Sequence, residues 1–174
     1  MKKLLVVLAL GWAMPAAAQF VPKSDWEEAR EKRDWKESDV KLPAWPKREG
    51  LIEFFVSGAT SFRFFIDPAS LSVAADGVVR YTLVARSASG VENVSYEGMR
   101  CAAGSYKVFA FGSDGRWRPS ESDWKQIETR EVQRWHNVLR SDLFCPHRNP
   151  IHSAAEGLDA LRQGIHPLVK NSPR

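Results

Sequence analysis

The chain has 174 residues, with 25 Lys and Arg against 21 Asp and Glu, and a formal net charge of +4. Both signs are interspersed and no basic run of the kind that grips phosphates occurs, which argues against nucleic acid as a partner. The length suits one domain, able to bury roughly two thirds of its unfolded surface.

Met1-Lys2-Lys3 forms a short positive start, followed by an uncharged apolar run from Leu4 to Met14. Pro15 breaks any helix there, because its ring removes a backbone donor and clashes with the preceding turn. Ala16-Ala17-Ala18 then supplies the small residues that a signal peptidase reads. The pattern predicts a signal peptide over residues 1–18, cleaved after Ala18, and delivery to an oxidising compartment, the periplasm. The fifteen residues from Leu4 to Ala18 are too few for a spanning helix, which needs about 20. No cysteine follows the run to take a lipid, so the mature protein is expected to carry no integral membrane anchor. Lys2 and Lys3 leave with the signal, so the mature balance is 23 basic against 21 acidic residues, or +2.

Residues 19–49 read as a charged arm containing Trp and Pro. Ser24-Asp25-Trp26-Glu27 has the form of a capping box and predicts a short exposed helix, supported by Glu28–Lys32 and Arg30–Asp34 at i,i+4. Trp26 and Trp35 lie nine residues apart, on opposite sides of such a helix, and cannot share a buried face. The arm is therefore expected to be loosely held. Leu42-Pro43-Ala44-Trp45-Pro46 should run extended, since each proline restricts the residue before it.

A single α+β domain is predicted over residues 50–166, with a tail at 167–174. Its strands are Leu51–Val56, Phe62–Ile66, Ser70–Ala75, Val78–Arg86, Val91–Cys101 and Ser105–Phe111, with a turn at Ser113-Asp114-Gly115 before Arg116-Trp117. Asp76-Gly77 signals a two-residue hairpin. Ser87-Ala88-Ser89-Gly90, taken as a four-residue loop, would set Tyr81 opposite Tyr96, Leu83 opposite Val94 and Arg80 opposite Glu97. In that register Arg80–Glu97 is a cross-strand ion pair. After Pro119 the period becomes helical, at Val132, Trp135, Val138 and Leu139, and again at Leu158, Leu161 and Ile165. The second helix has a capping box at Ser153-Ala154-Ala155-Glu156 and a terminator at Gly164. Strands first and helices later give an antiparallel meander of about five to six strands with C-terminal helices packed on one face.

Two cysteines in an exported chain are expected to pair, Cys101 with Cys145. Closing a loop of about 45 residues contributes roughly 4 kcal/mol in the chain-entropy model. Two free thiols or an intermolecular bridge are the alternative.

Motifs that carry chemistry are few. The four histidines, His136, His147, His152 and His166, show no HExxH spacing, and solvent-facing or capping roles explain them better than a metal site. No Gly-x-Ser-x-Gly elbow and no glycine-rich phosphate loop occur, and no cofactor is implied. Glu92, Glu97 and Asp114 are available carboxylates, with nothing to single out a glycosidase pair. Arg63, Arg80, Arg86 and Arg100 lie along predicted strands as a candidate anion or partner face, against the simpler expectation of a solvated sheet face. Trp26, Trp35 and Trp45 are candidates for docking a partner, against the simpler expectation that they pack on their own sheet.

The stretches Leu42-Pro43-Ala44-Trp45-Pro46, Ser61-Phe62-Arg63-Phe64-Phe65-Ile66-Asp67, Asp76-Gly77-Val78-Val79-Arg80-Tyr81, Asn93-Val94-Ser95-Tyr96-Glu97-Gly98-Met99-Arg100-Cys101 and Asp142-Leu143-Phe144-Cys145-Pro146 together resemble the cryptic neisserial protein-like family. That group comprises exported Gram-negative proteins without an assigned activity. The resemblance covers nearly all of the mature chain, includes both cysteines, and implies a periplasmic address and a structural disulfide. It transfers no catalytic residue. The expected function is a non-enzymatic binding or interaction module of the cell envelope, with an envelope protein or small ligand as partner. The competing reading is a small periplasmic hydrolase acting on a cell-wall or phosphoester substrate. A deep pocket holding a carboxylate or histidine of strongly perturbed pKa would favour the hydrolase.

Overall fold

The computed structural model describes residues 35–128 and 134–172. Lys36–Arg174 forms one compact unit, and the elements below belong to it. The expected signal peptide, the helix expected at Ser24, and Trp26 lie outside the described residues.

The described strands are β1 (Ile52–Phe54), β2 (Arg63–Val73), β3 (Val78–Arg86), β4 (Glu92–Arg100), β5 (Ser105–Ser113), β6 (Arg116–Pro119) and β7 (Lys125–Gln126). They form one antiparallel sheet in the order β1-β2-β3-β4-β5-β6, with β7 paired to β5 beside β6. From β1 to β6 each strand pairs with the next in sequence, so the α+β meander read from the sequence is the observed architecture. Two predicted strands, Phe62–Ile66 and Ser70–Ala75, are in fact one strand with a bulge. The β2–β3 register shifts between Asp67 and Ser72, where Pro68 has no ladder hydrogen bond to donate. Ser70 Oγ repairs the gap, donating to Asp67 O at 2.8 Å and accepting from the Thr82 amide at 2.7 Å.

Turn geometry corrects the predicted register. In the β3–β4 turn the Ser87 amide bonds to Val91 O at 2.9 Å and the Gly90 amide to Ser87 O at 3.0 Å, with Gly90 at φ +85°. This is a three-residue loop, Ala88-Ser89-Gly90, whose last residue takes the left-handed conformation that glycine adopts without strain. One loop residue fewer than expected moves every pair by one. Tyr81 therefore faces Glu97, Leu83 faces Ser95, and Arg80 faces Gly98. The β2–β3 turn repeats the geometry with Ala75-Asp76-Gly77, so Asp76-Gly77 is part of a three-residue loop as well. A two-residue turn does occur at Asp114-Gly115, both at positive φ, between paired Ser113 and Arg116.

One sheet face carries Phe64, Ile66, Leu71, Val79, Tyr81, Leu83 and Met99, and the helical layer packs there. That layer begins with α1 (Trp135–Val138), runs on as a π-helical turn over Leu139–Phe144, and passes through a 3-10 turn at Pro146–Arg148. It ends with α2 (Ala154–Gln163) and α3 (Pro167–Lys170), the latter within the stretch predicted as tail. Helix α2 starts and stops where its capping residues imply. Ser153 Oγ accepts from the Glu156 amide at 3.2 Å, and Gly164 closes the helix at φ +73°. Leu139, Leu143 and Phe144 are fully buried, each worth about 1.5–3 kcal/mol of apolar transfer. Cys101 and Cys145 are joined, with Cα atoms 5.3 Å apart, and the bond ties the end of β4 to the end of the π-helical turn.

The opposite face is covered by the N-terminal segment. Residues 36–47 do not hang loosely; they form a strap across β3, β4 and β5. Glu37 takes Lys107 Nζ and Trp124 Nε1, both at 3.0 Å, and the Ser38 amide donates to Asp76 Oδ2 at 2.8 Å. Trp117 Nε1 donates to Pro43 O at 2.9 Å, and the Trp45 ring packs on Trp117 with centroids 5.3 Å apart. Gly112 makes room for that indole, since a Cβ there would lie 2.6 Å from Trp45 Cη2. The prolines hold the strap extended, and the sheet meets its polar groups.

Candidate ligand pocket

The helical layer covers only part of its sheet face. Toward the β3–β4 turn the face stays open, and a cavity of about 850 Å³ lies over it. Leu83, Ser95, Glu97, Tyr106, Val108 and Phe111 form its floor; the β1–β2 loop, including Phe62, and the stretch Arg134–His136 form its walls. The volume falls within the range of small-molecule sites, about 300–1,000 Å³.

Glu97 lies on this floor, in the same apolar rows as Leu83 and Met99, and is only 3% exposed. Three donors converge on its carboxylate. Ser95 Oγ donates to Oε1 at 2.6 Å, Tyr81 Oη to Oε2 at 3.2 Å, and His136 Nε2 lies 2.8 Å from Oε2. A carboxylate that receives three donors is acceptor-only, so the proton on His136 sits at Nε2. Burial raises the Tyr81 ionisation well above its ordinary value of 10.0, and the Glu97 charge raises it further. Tyr81 therefore remains a donor at any physiological pH. His136 is itself buried, with Tyr106 stacked on its ring at 3.6 Å between centroids. Its Nδ1 has no hydrogen-bond partner among the described residues, and the ring lines the cavity. Trp135 stacks on Phe64 at 5.2 Å, and its Nε1 is buried without a hydrogen-bond partner.

Two irregularities set this geometry. The β4–β5 register shifts between Tyr96 and Glu97, so that Val108 faces Glu97 and Ala110 faces Tyr96, with Phe109 turned to the strap side. Directly after α1 the helix widens to π geometry, as helices often do beside functional sites. The outcome is a desolvated carboxylate–imidazole pair with one ring nitrogen left for the cavity. Such a nitrogen can accept a ligand hydrogen bond or take a proton. Among the described residues no serine, threonine or cysteine side chain is hydrogen-bonded to His136, and no cluster of three or more His, Cys, Asp or Glu gathers as a metal site.

Glu97 and His136 are the residues that sequence reasoning misplaced. Glu97 does not pair with Arg80, and His136 is neither solvent-facing nor a cap. The one-residue register error put Glu97 on the wrong face. Taking Gly90 as the end of a three-residue loop would have set a lone carboxylate among Tyr81, Leu83 and Met99. The other histidines are nearer expectation. His147 and His152 are exposed, and His166 caps α3 through Nδ1, which accepts from the Leu168 amide at 3.2 Å. Its Nε2 meets Glu156 at 2.9 Å. Burial raises the Glu156 ionisation, and hydrogen bonds from the His152 amide and from both imidazoles outweigh it, leaving that carboxyl low.

The four arginines do share one face, the strap side, through the pairs Arg63–Arg86 and Val78–Arg100. Arg63 is held bidentately by Glu53, Arg86 by Glu92 at 2.8 Å, and Arg80 by Asp76 at 2.7 Å and Ser38 O. Arg100 lies over the Trp124 ring. Of the aromatic candidates, Trp45 is packed in the strap and Trp35 is partly buried. None of these residues lines the cavity.

The model of the CNP1-like family matches residues 30–162, which include every residue of the Tyr81–Ser95–Glu97–His136 cluster. The chain belongs to the CNP1-like family. It is 28% identical over 151 residues to Cryptic neisserial protein 1 of Neisseria gonorrhoeae (strain ATCC 700825 / FA 1090), covering 72% of this chain and 74% of that one. No solved structure matches the chain. No described helix is long and apolar enough to cross a membrane.

Proposed function

We propose that this CNP1-like protein is a periplasmic, non-enzymatic binding module of the cell envelope, and that it binds its ligand in the cavity over Glu97 and His136. The observation that carries the reading is the Glu97–His136 pair, held by Ser95 and by Tyr81 beneath, in a cavity also lined by Phe64, Leu83, Val108, Phe111 and Trp135. A few convergent polar groups in an apolar pocket are what ligand sites use to fix orientation. Phe62 and Phe111, 37% and 53% exposed, stand at the cavity, where a ligand would cover them. The signal-peptide pattern and the cysteine pair support the periplasmic address.

Native mass spectrometry of the protein released gently from periplasm tests both parts. The expected species begins at Gln19 and carries a small molecule, which is lost in a Phe111→Asp variant that keeps the wild-type melting temperature. Retention of that molecule by Phe111→Asp, or a chain still beginning at Met1 in the membrane fraction, would refute the proposal. The carboxylate–imidazole pair favours a second reading, hydrolysis of a cell-wall or phosphoester substrate with His136 moving the proton. Turnover of peptidoglycan fragments or phosphoesters that His136→Gln abolishes would establish it in place of simple binding.

A further inference from the structure

Resting on that reading of the cavity, the side chains also define the chemistry of the ligand. Charges at the cavity balance. Glu97 and Asp123 are acidic and Lys125 and Arg134 basic, with Asp123, Lys125 and Arg134 exposed at the mouth. The inner end offers one negative charge, already shared among three hydrogen-bond donors, so a cationic ligand finds little unspent charge there. An anion would lie close to Glu97, where like-charge repulsion in a desolvated setting opposes it. An uncharged ligand meets neither obstacle.

Among the described residues, two ring nitrogens of the cavity lining lack a hydrogen-bond partner: Nε1 of Trp135, a donor, and Nδ1 of His136. In the neutral ring, with Nε2–H committed to Glu97, Nδ1 carries a lone pair and accepts. A ligand donor that reaches Nδ1 adds one hydrogen bond to binding. Phe64, Leu83, Val108 and Phe111 supply the apolar surface leading from there to the mouth.

We propose that the cavity takes an uncharged amphipathic ligand, an alcohol or phenol, whose hydroxyl donates to Nδ1 of His136 and whose apolar body lies along Phe64, Leu83, Val108 and Phe111. Four probes test this on the oxidised mature protein by calorimetric titration or protein-observed NMR: 4-propylphenol, 4-propylanisole, 4-propylbenzoate and 4-propylbenzylammonium. Anisole keeps the oxygen and removes only the donor, and a cavity of about 850 Å³ has room for its extra methyl group.

The phenol should bind about 3- to 10-fold tighter than the anisole, the worth of one hydrogen bond, and tighter than either ion. In a His136→Phe variant that preference should vanish, and in Phe111→Ala both neutral probes should weaken together with the preference intact. The comparison between probes on the wild-type protein stands even where His136→Phe fails to fold. Equal or tighter binding of the anisole, or tighter binding of either ion, would overturn the hydroxyl assignment. Binding of none of the four at millimolar concentration would also overturn it. The native mass measurement would then still decide whether the cavity is a ligand site.

Discussion

Replacing Glu97 by glutamine and by alanine should give two widely separated losses of stability, because the two changes do different things to the same three donors. Glutamine keeps a carbonyl oxygen where Tyr81 Oη and His136 Nε2 converge, and turns its amide toward Ser95, whose hydroxyl can reverse and accept. The loss is the difference between charged and neutral acceptors, about 1 kcal/mol per bond, partly offset because no buried charge has to be desolvated. A net cost of about 1 kcal/mol follows. Alanine leaves Tyr81 and His136, both buried, as unpaired donors beside a new void, and breaking a buried pair in this way costs about 3–5 kcal/mol. For a unit of this size each kcal/mol shifts the melting temperature by roughly 3 °C.

Glu97→Gln should therefore melt about 3 °C below wild type and Glu97→Ala about 10–15 °C below it. Urea midpoints read by tryptophan fluorescence should agree, with unchanged slopes. A Glu97→Ala loss under about 1 kcal/mol would refute the reasoning. It would mean that Tyr81 and His136 are satisfied without the carboxylate, and that the cluster is no organised unit.

Three further outcomes are expected. Cys101→Ala and Cys145→Ala should each lower unfolding stability by about 4 kcal/mol, and the double variant should add little; additive losses would contradict a single shared bridge. The Asp76 carboxyl is raised by burial, but the Ser38 and Val78 amides and the Arg80 guanidinium lower it more, leaving it below its ordinary 3.8. Its contribution is then complete above about pH 4 and is lost as pH falls through the depressed folded value. Asp76→Asn should cost about 3 kcal/mol at pH 7 by stranding buried Arg80, and the gap to wild type should narrow in urea titrations as pH falls below about 4. Trp45→Ala should destabilise by about 2–4 kcal/mol and speed hydrogen exchange at the Ser38 amide. Protection unchanged at Ser38 would show that the strap docks without its indole.

What the sequence disclosed follows the range of the physics involved. The meander, the cysteine pair and the Ser153 and Gly164 caps depend on contacts of a few residues or on a choice with one intramolecular solution. Those were legible. Register was not, because Gly90 can end a three-residue loop or sit in a four-residue one, and only the closed turn decides. The strap was hidden for a different reason. Glu37 reaches Lys107 and Trp124 across 70 and 87 residues, and a charged, proline-rich segment looks solvent-exposed until its partners are in place. The pocket suffered from both problems, since Glu97 depends on register and His136 lies 39 residues away.

The position of the cluster argues for use over stability. A buried carboxylate–imidazole pair contributes little net stability compared with apolar residues of similar size. Tyr81, Leu83 and Met99 show that this sheet face can carry such residues on every side of Glu97. Stability alone would favour leucine there and a helical layer extended to cover the open half of the face. Instead the sheet bulges in β5 beside Glu97, the helix widens to π geometry just after His136, and the face between them stays open. Each departure gives up regular hydrogen bonding or apolar burial, and all meet at the same cavity. Local rules fail together where a protein keeps a function. That convergence, more than any single residue in it, makes this cavity the place at which to test the proposed ligand binding.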